Sequence, residues 1–133
     1  MRRPIQLLLL LSVITCLYAC KKDKQTAPNI TGTWELRQTL GGFAGVQNYK
    51  PGNGHTYTFT ANGGFTQYAG KDTLLNQGTY TIKTSAVKVQ GVLYNLLLLN
   101  GAQNGPEIQV QDTIMLLGLD YNNQPGGIYA KIK

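Results

Sequence analysis

An alternation of apolar and polar residues with a period of two constrains the fold of this chain more than any other feature. Tyr57 and Phe59 alternate with threonines, and the segment from Thr79 to Lys83 repeats the pattern. Successive side chains of a β-strand point to opposite faces, so this period predicts half-buried strands. Asn62-Gly63-Gly64 follows the first segment and is typical of a hairpin turn, because Asn and Gly tolerate positive φ.

About eight such segments occur between Ile30 and Lys133, with turn residues between them and no convincing helical period. The segment from Val92 to Leu99 is apolar on both faces, as in a central or tightly covered strand, and would promote aggregation at an open sheet edge. Closing the sheet into a barrel removes such edges. We therefore predict an all-β domain, a small antiparallel up-and-down barrel of about eight strands, with a β-sandwich as the alternative.

Two polar residues occupy strand positions where the period of two would place their side chains on the same face as apolar neighbours. On a strand expected to run from Ile108 to about Leu117, Asp112 would point inward and would need a partner or a ligand. A bulge between Gln111 and Thr113 would turn the carboxylate to solvent instead, and we favour this alternative. Gln38 poses the same question on the first strand, with the same expected answer.

The N-terminal residues are typical of an export signal and lie apart from the fold. Arg2 and Arg3 precede an apolar segment from Ile5 to Leu17, shorter than the roughly 18 to 20 residues of a membrane span. The following sequence, Leu17-Tyr18-Ala19-Cys20, resembles the bacterial lipobox, whose cysteine is diacylated. We therefore expect cleavage before Cys20 and lipid on its thiol, rather than a transmembrane helix or an ordinary secretory signal.

The expected organisation is a signal peptide over residues 1–19, the lipidated Cys20 with a polar tether to residue 29, and a β domain over 30–133. Two or more acyl chains hold a protein stably on a membrane, at about 0.8 kcal/mol per buried methylene. Lys21 rather than aspartate follows the cysteine. By analogy with lipoprotein sorting in some Gram-negative bacteria, this favours the outer membrane.

Neither the cysteines nor the net charge indicates a further activity. Cys16 would leave with the signal peptide and lipid would occupy Cys20, so no thiol remains for a disulfide, a zinc site or a nucleophile. Of the formal net charge of +6, Arg2 and Arg3 supply +2 and the segment from Lys21 to Lys24 another +2. The domain keeps an excess of +2 without a basic aromatic patch, which argues against nucleic acid as a partner.

Groups suited to catalysis are few. His55 is the single histidine and lies in a segment with the composition of a loop, whereas an activated nucleophile needs an adjacent base and a histidine-based metal site needs more than one. The carboxylates of the domain form no close pair in sequence; they are Glu35, Asp72, Glu107, Asp112 and Asp120. We expect no catalytic residue, no cofactor and no metal.

Gly32-Thr33-Trp34 opens the first strand, immediately after the tether. It is similar to the Gly-x-Trp opening of lipocalins, where the tryptophan plugs the closed end of an eight-stranded barrel. The order of the later turns and strands resembles the lipocalin-like domains of bacterial lipoproteins over residues 31–133. The resemblance implies that Trp34 is the barrel-closing aromatic and that Lys131 or Lys133 covers it. A second lipocalin motif, Thr-Asp-Tyr, has only Leu119-Asp120-Tyr121 as its counterpart.

Two functions are compatible with these residues. In the first, a small apolar or amphipathic ligand binds in the barrel mouth, and Tyr57, Phe59, Tyr80 and Asp112 are the candidate contacts. In the second, the aromatic residues fill the core, and the protein is a structural or protein-interaction lipoprotein of the cell envelope. A continuous apolar cavity of about 300 Å³ or more would favour a ligand. A packed interior with an exposed apolar patch would favour a protein partner, whose identity the sequence does not indicate.

Overall fold

The regular elements of the protein are β-strands throughout the residues that the computed structural model describes, namely 26–41, 44–89, 91–118 and 126–133. The expected signal peptide, Cys20 and the motif at Leu119-Asp120-Tyr121 lie outside these ranges. Within them, no helix is long and apolar enough to cross a membrane. The strands are β1 (Gly32–Leu40), β2 (Gln47–Asn48), β3 (Thr56–Phe59), β4 (Gly64–Ala69), β5 (Thr73–Val89), β6 (Val92–Leu99), β7 (Glu107–Gln111), β8 (Ile114–Leu117) and β9 (Gly126–Lys131).

Eight of the strands form a closed antiparallel barrel. The order is β1, β3, β4, β5, β6, β7, β8, β9, and β9 pairs back onto β1 with Trp34 opposite Lys131. The short β2 pairs with β1 at Gln38 and Thr39, beyond the end of β3. Apart from the closing pairing of β9 with β1, each strand of the barrel pairs antiparallel with the next barrel strand along the chain, which is an up-and-down topology. The predicted all-β barrel of eight strands is confirmed, and the sandwich alternative is wrong.

The predicted alternation places the aromatic residues in the core. The rings of Tyr57 and Phe59 stack with centroids 5.6 Å apart, and Tyr80 packs edge-on against Phe59 at 5.0 Å. Each large apolar side chain that is fully buried contributes about 1.5 to 3 kcal/mol to folding. The buried cluster consists of Ile30, Trp34, Tyr57, Phe59, Phe65, Leu97, Ile108, Met115 and Leu117.

The expectation of a single strand from Ile108 to Leu117 is wrong, because two strands, β7 and β8, occupy this segment. Asp112 and Thr113 form a two-residue turn between β7 and β8, with Gln111 opposite Ile114. Asp112 has a φ of 52°, a left-handed conformation that Asp adopts more readily than most residues. Asp112 is exposed, as we expected, but because of this hairpin turn and not because of a bulge.

The bulge expected near Gln38 is present. The register of β1 on β9 shifts between Leu36 and Gln38, which changes the face that the following residues present. The Gln38 side-chain amide then donates to Asn48 Oδ1 at 2.7 Å. Gln38 therefore serves the pairing of β1 with β2 and does not point a polar group into the core.

Candidate functional site

Trp34 is fully buried at the end of the barrel where the chain enters β1 and leaves β9. Its indole N–H donates to the carbonyl oxygen of Ile30 at 2.7 Å, so the buried donor is satisfied. Lys131 Nζ lies 5.4 Å from the centroid of the ring, within the range of a cation–π interaction. Of the two lysines that the lipocalin resemblance implied, Lys131 is therefore the one that covers the tryptophan. Packed side chains occupy this end.

Glu35 is 4% exposed and lies under the loop between β2 and β3. One carboxylate oxygen accepts the N–H of Gly52 at 3.0 Å and the other accepts that of Gly54 at 3.2 Å. Arg37 forms an ion pair with the same carboxylate. Burial raises the pKa of Glu35, but the hydrogen bonds from Arg37, Gly52 and Gly54 and the charge of Arg37 together bring this pKa below its ordinary value. The carboxylate holds the loop and stays ionised, unlike a general base poised near neutral pH.

His55 belongs to the same loop, and the loop is fixed by a second side chain. Asn53 donates to the carbonyl oxygens of Leu36 at 2.8 Å and Lys50 at 2.7 Å, and its Oδ1 accepts the backbone N–H of His55 at 2.8 Å. The imidazole packs edge-on against Tyr49, with ring centroids 5.5 Å apart. These contacts give His55 a place in loop packing.

The first prediction concerns the pH dependence that Glu35 confers. Because its pKa is lower in the folded chain than the ordinary value of 4.5, its stabilising effect is complete above about pH 4.5 and is lost as the pH falls through the folded pKa. We expect Glu35→Gln to lower the free energy of unfolding at pH 7 by about 1 to 2 kcal/mol. The free energy of unfolding of this variant should also depend less on pH between about 5 and 3 than that of the parent protein. Urea unfolding across this range measures both effects.

Asp72→Asn is the matched control, since Asp72 is an exposed carboxyl in a turn. It should leave stability at pH 7 within about 0.5 kcal/mol of the parent protein. An acid dependence that survives in Glu35→Gln unchanged would show that another carboxyl is responsible.

The candidate ligand contacts are not all together. Tyr57, Phe59 and Tyr80 meet in the packed interior, and Asp112 lies apart from them in the exposed β7–β8 turn. Burial raises the pKa of Tyr57, although a hydrogen bond with Gln67 opposes the shift. The hydroxyl of Tyr57 is therefore protonated at neutral pH.

A small pocket lies beside the inward-facing Tyr57 and Tyr129. It has a volume of about 60 Å³ and is lined by Leu36, Tyr57, Gln67 and Tyr129, among others. Burial, and then the charges of Tyr57 and Tyr49, raise the pKa of Tyr129 far above its ordinary value. A ligand pocket usually measures about 300 Å³ or more. This pocket has room for water molecules but not for a drug-sized ligand.

A groove of about 450 Å³ lies where β6 and β7 separate, and we call it the seam groove. The two strands pair only at Asn95 with Ile108 and at Leu96 with Glu107. Toward the start of β6, Val92 is 51% exposed and Leu93 is 46% exposed. The segment from Val92 to Leu99 is a central strand, as one of the two expectations had it, but its first residues are not tightly covered.

A bulge in β5 coincides with the opening of the seam groove. The register between β5 and β6 shifts between Lys83 and Val87, and Ser85 has a φ of 49°. The side chain of Asn95 bridges this irregularity, because its Oδ1 accepts the N–H of Ser85 at 3.0 Å. Asn95 is also the last residue of β6 that pairs with β7 in this direction. Bulges bend strands, so the first half of β6 follows β5 away from β7.

Within the described ranges, no group of three or more His, Cys, Asp or Glu side chains could hold a metal ion. Comparison with protein-family models, with curated proteins and with solved structures finds no match for this chain. Function therefore has to be inferred from the barrel and the seam groove themselves.

Proposed function

We propose that the protein is a non-enzymatic lipoprotein of the cell envelope, held by lipid on Cys20, whose filled barrel binds another envelope protein. The observation that carries the proposal is the exposed apolar surface at the seam groove. Val92, Leu93 and Ile114 are each at least 40% exposed there, beside a densely packed core. Clustered exposed apolar side chains on a soluble fold mark interaction sites more often than isolated ones do.

Several features support the rest of this proposal. The lipobox-like sequence before Cys20 favours the lipid anchor, and Lys21 favours the outer membrane. The roles of Glu35 and His55 in loop packing support a non-enzymatic protein. The residues that line the seam groove are uncharged, which favours a neutral apolar surface over nucleic acid as the partner.

The second prediction tests the proposal by cross-linking in living cells. A photo-reactive amino acid at Val92 should yield a discrete cross-linked protein in the envelope fraction, because this side chain lies at the rim of the seam groove. Val46, which is 60% exposed beside β2 and is not part of the groove lining, provides the control position. Equal products from both positions, or none from Val92, would contradict the proposal.

A second candidate function is the binding of a small apolar or amphipathic ligand. The volume of the seam groove, about 450 Å³, favours it because small-molecule sites fall between about 300 and 1,000 Å³. Native mass spectrometry of residues 26–133 purified from cells distinguishes the two. A co-purifying molecule of a few hundred daltons supports this candidate, whereas a bare domain that still cross-links through Val92 supports the protein partner.

A further inference from the structure

The ladder between β6 and β7 stops before either strand ends. Leu97 donates its N–H to the carbonyl oxygen of Pro106 at 2.9 Å, and Asn95 lies opposite Ile108 in the same register. In an antiparallel pair every second residue exchanges hydrogen bonds, so the next such pair would be Leu93 with Val110. The described ladder does not include this pair.

Beyond this point each of the two strands still pairs with its other neighbour, β6 with β5 and β7 with β8. Leu93 lies opposite Lys88 of β5, and Val110 lies opposite Met115 of β8. By the same alternation, the backbone N–H and C=O groups of Leu93 and Val110 face the seam groove and not β5 or β8. Two strand edges therefore face each other across the groove, each about three residues long.

The volume of the seam groove matches one inserted strand segment. Three extended residues occupy a length of roughly 10 Å at about 3.4 Å per residue, a width of about 4.8 Å between strands and a depth of about 10 Å, or about 480 Å³ in all. The observed volume is about 450 Å³. Leu93 and Val110 both line it, with Gln109 and Gln111 beside them and no charged side chain.

We propose that the seam groove is a strand-addition site, which binds an extended, uncharged peptide segment of a partner protein by backbone pairing with Leu93 and Val110. The inference rests on the proposed function as a protein-interaction lipoprotein. An extended peptide carries N–H and C=O groups along both of its edges, so it can form hydrogen bonds with the two strands that line the groove, as in other strand-addition complexes. A compact ligand would satisfy fewer of them. Thr26 and Pro28 of this chain also line the groove, but among the described residues neither forms a hydrogen bond with these strands.

The third prediction uses a synthetic seven-residue peptide of alternating valine and threonine with both termini blocked. With the full chain in lipid nanodiscs, the peptide should slow deuterium exchange of the Leu93 and Val110 amides by about tenfold or more. The same peptide N-methylated along one edge should bind about tenfold more weakly, since each lost backbone hydrogen bond costs about a factor of five.

A pair of variants tests the same pairing from the protein side. Leu93→Pro removes the N–H that faces the groove and should weaken peptide binding about fivefold or more. Leu93→Ala keeps that N–H and loses only the side chain, so it should weaken peptide binding less than Leu93→Pro does. Fluorescence of Trp34, the only tryptophan, reports whether each variant is folded.

Three results would overturn strand addition: no binding, equal binding of the N-methylated peptide, or full protection of the two amides in nanodiscs before peptide is added. The last would mean that lipid or the chain itself occupies the groove. Cross-linking through Val92 remains an independent test, so a captured partner combined with a failed peptide would reject this inference and leave the proposed function standing.

Discussion

Replacing Trp34 with alanine should lower the free energy of unfolding by about 3 to 5 kcal/mol, the range for removal of a buried aromatic side chain. The indole is fully buried, its N–H is bonded to the Ile30 carbonyl and Lys131 lies over its ring. The alanine variant loses the packing of the ring, the hydrogen bond and the cation–π contact, and it leaves a cavity in their place. Small domains have only about 5 to 15 kcal/mol of stability, so the loss would be a large fraction. Urea unfolding followed by far-ultraviolet circular dichroism measures it.

Trp34→Phe distinguishes the contribution of the ring volume to stability from that of the indole hydrogen bond. It keeps most of the apolar bulk but leaves the carbonyl oxygen of Ile30 without its donor, so we expect a loss of about 1 to 2 kcal/mol. If the alanine variant lost less than about 1 kcal/mol, the packing of this end of the barrel would be far looser than the burial of Trp34 requires.

Gly32→Ala should destabilise the protein by about 2 to 4 kcal/mol, from backbone strain and overpacking combined. Gly32 has a φ of 128°, and a Cβ at this position would lie 2.3 Å from the carbonyl oxygen of Lys133. That oxygen cannot simply move, because it accepts the N–H of Thr33 at 3.0 Å and Ile132 donates back to Thr33 at 2.8 Å. The glycine of the Gly-x-Trp motif is therefore required where the last residues cross the first strand.

Gly101→Ala is the control for this prediction. Gly101 also has a positive φ, 74°, but no atom lies within 4 Å of the position that a Cβ would take. We expect a loss of about 1 to 2 kcal/mol from backbone strain alone. Thermal unfolding measures the stability lost by each variant. The extra loss in Gly32→Ala is the part caused by the close approach of Gly32 to the Lys133 carbonyl oxygen. Equal losses would mean that the approach is easily relieved.

The sequence predicts the barrel well where packing follows local alternation. Tyr57 and Phe59 face the core as their period of two indicates, because each hairpin pairs them with neighbours close in sequence. The last strand shows the limit of this reasoning. Tyr129 lies opposite the buried Met115 and so faces inward, whereas Ile128 lies on the other face. Register, which side-chain hydrophobicity does not determine alone, decides the buried face.

The site was less predictable for the same reason. Asp112 continues an apolar phase in sequence, and only the pairing of Gln111 with Ile114 places it in a turn. The choice of Lys131 over Lys133 likewise follows from its position opposite Trp34. The seam groove depends on a bulge in β5 and on where the β6–β7 ladder ends. Both are tertiary features without a residue signature, and the apolar segment from Val92 to Leu99 gave no sign of them.

The pairing of β1 with β9 has a consequence for the rate at which the barrel assembles. Every other pairing within the barrel joins strands that follow one another in the chain, apart from the short β2 between β1 and β3, whereas Trp34 and Lys131 meet across nearly the whole domain. Closing so long a loop lowers the conformational entropy of the chain before the contacts between β1 and β9 can offset that loss. We therefore expect this pairing to form late. A sheet in which this pairing has not yet formed would have two free edges, so refolding at high concentration should favour association between chains over completion of each barrel.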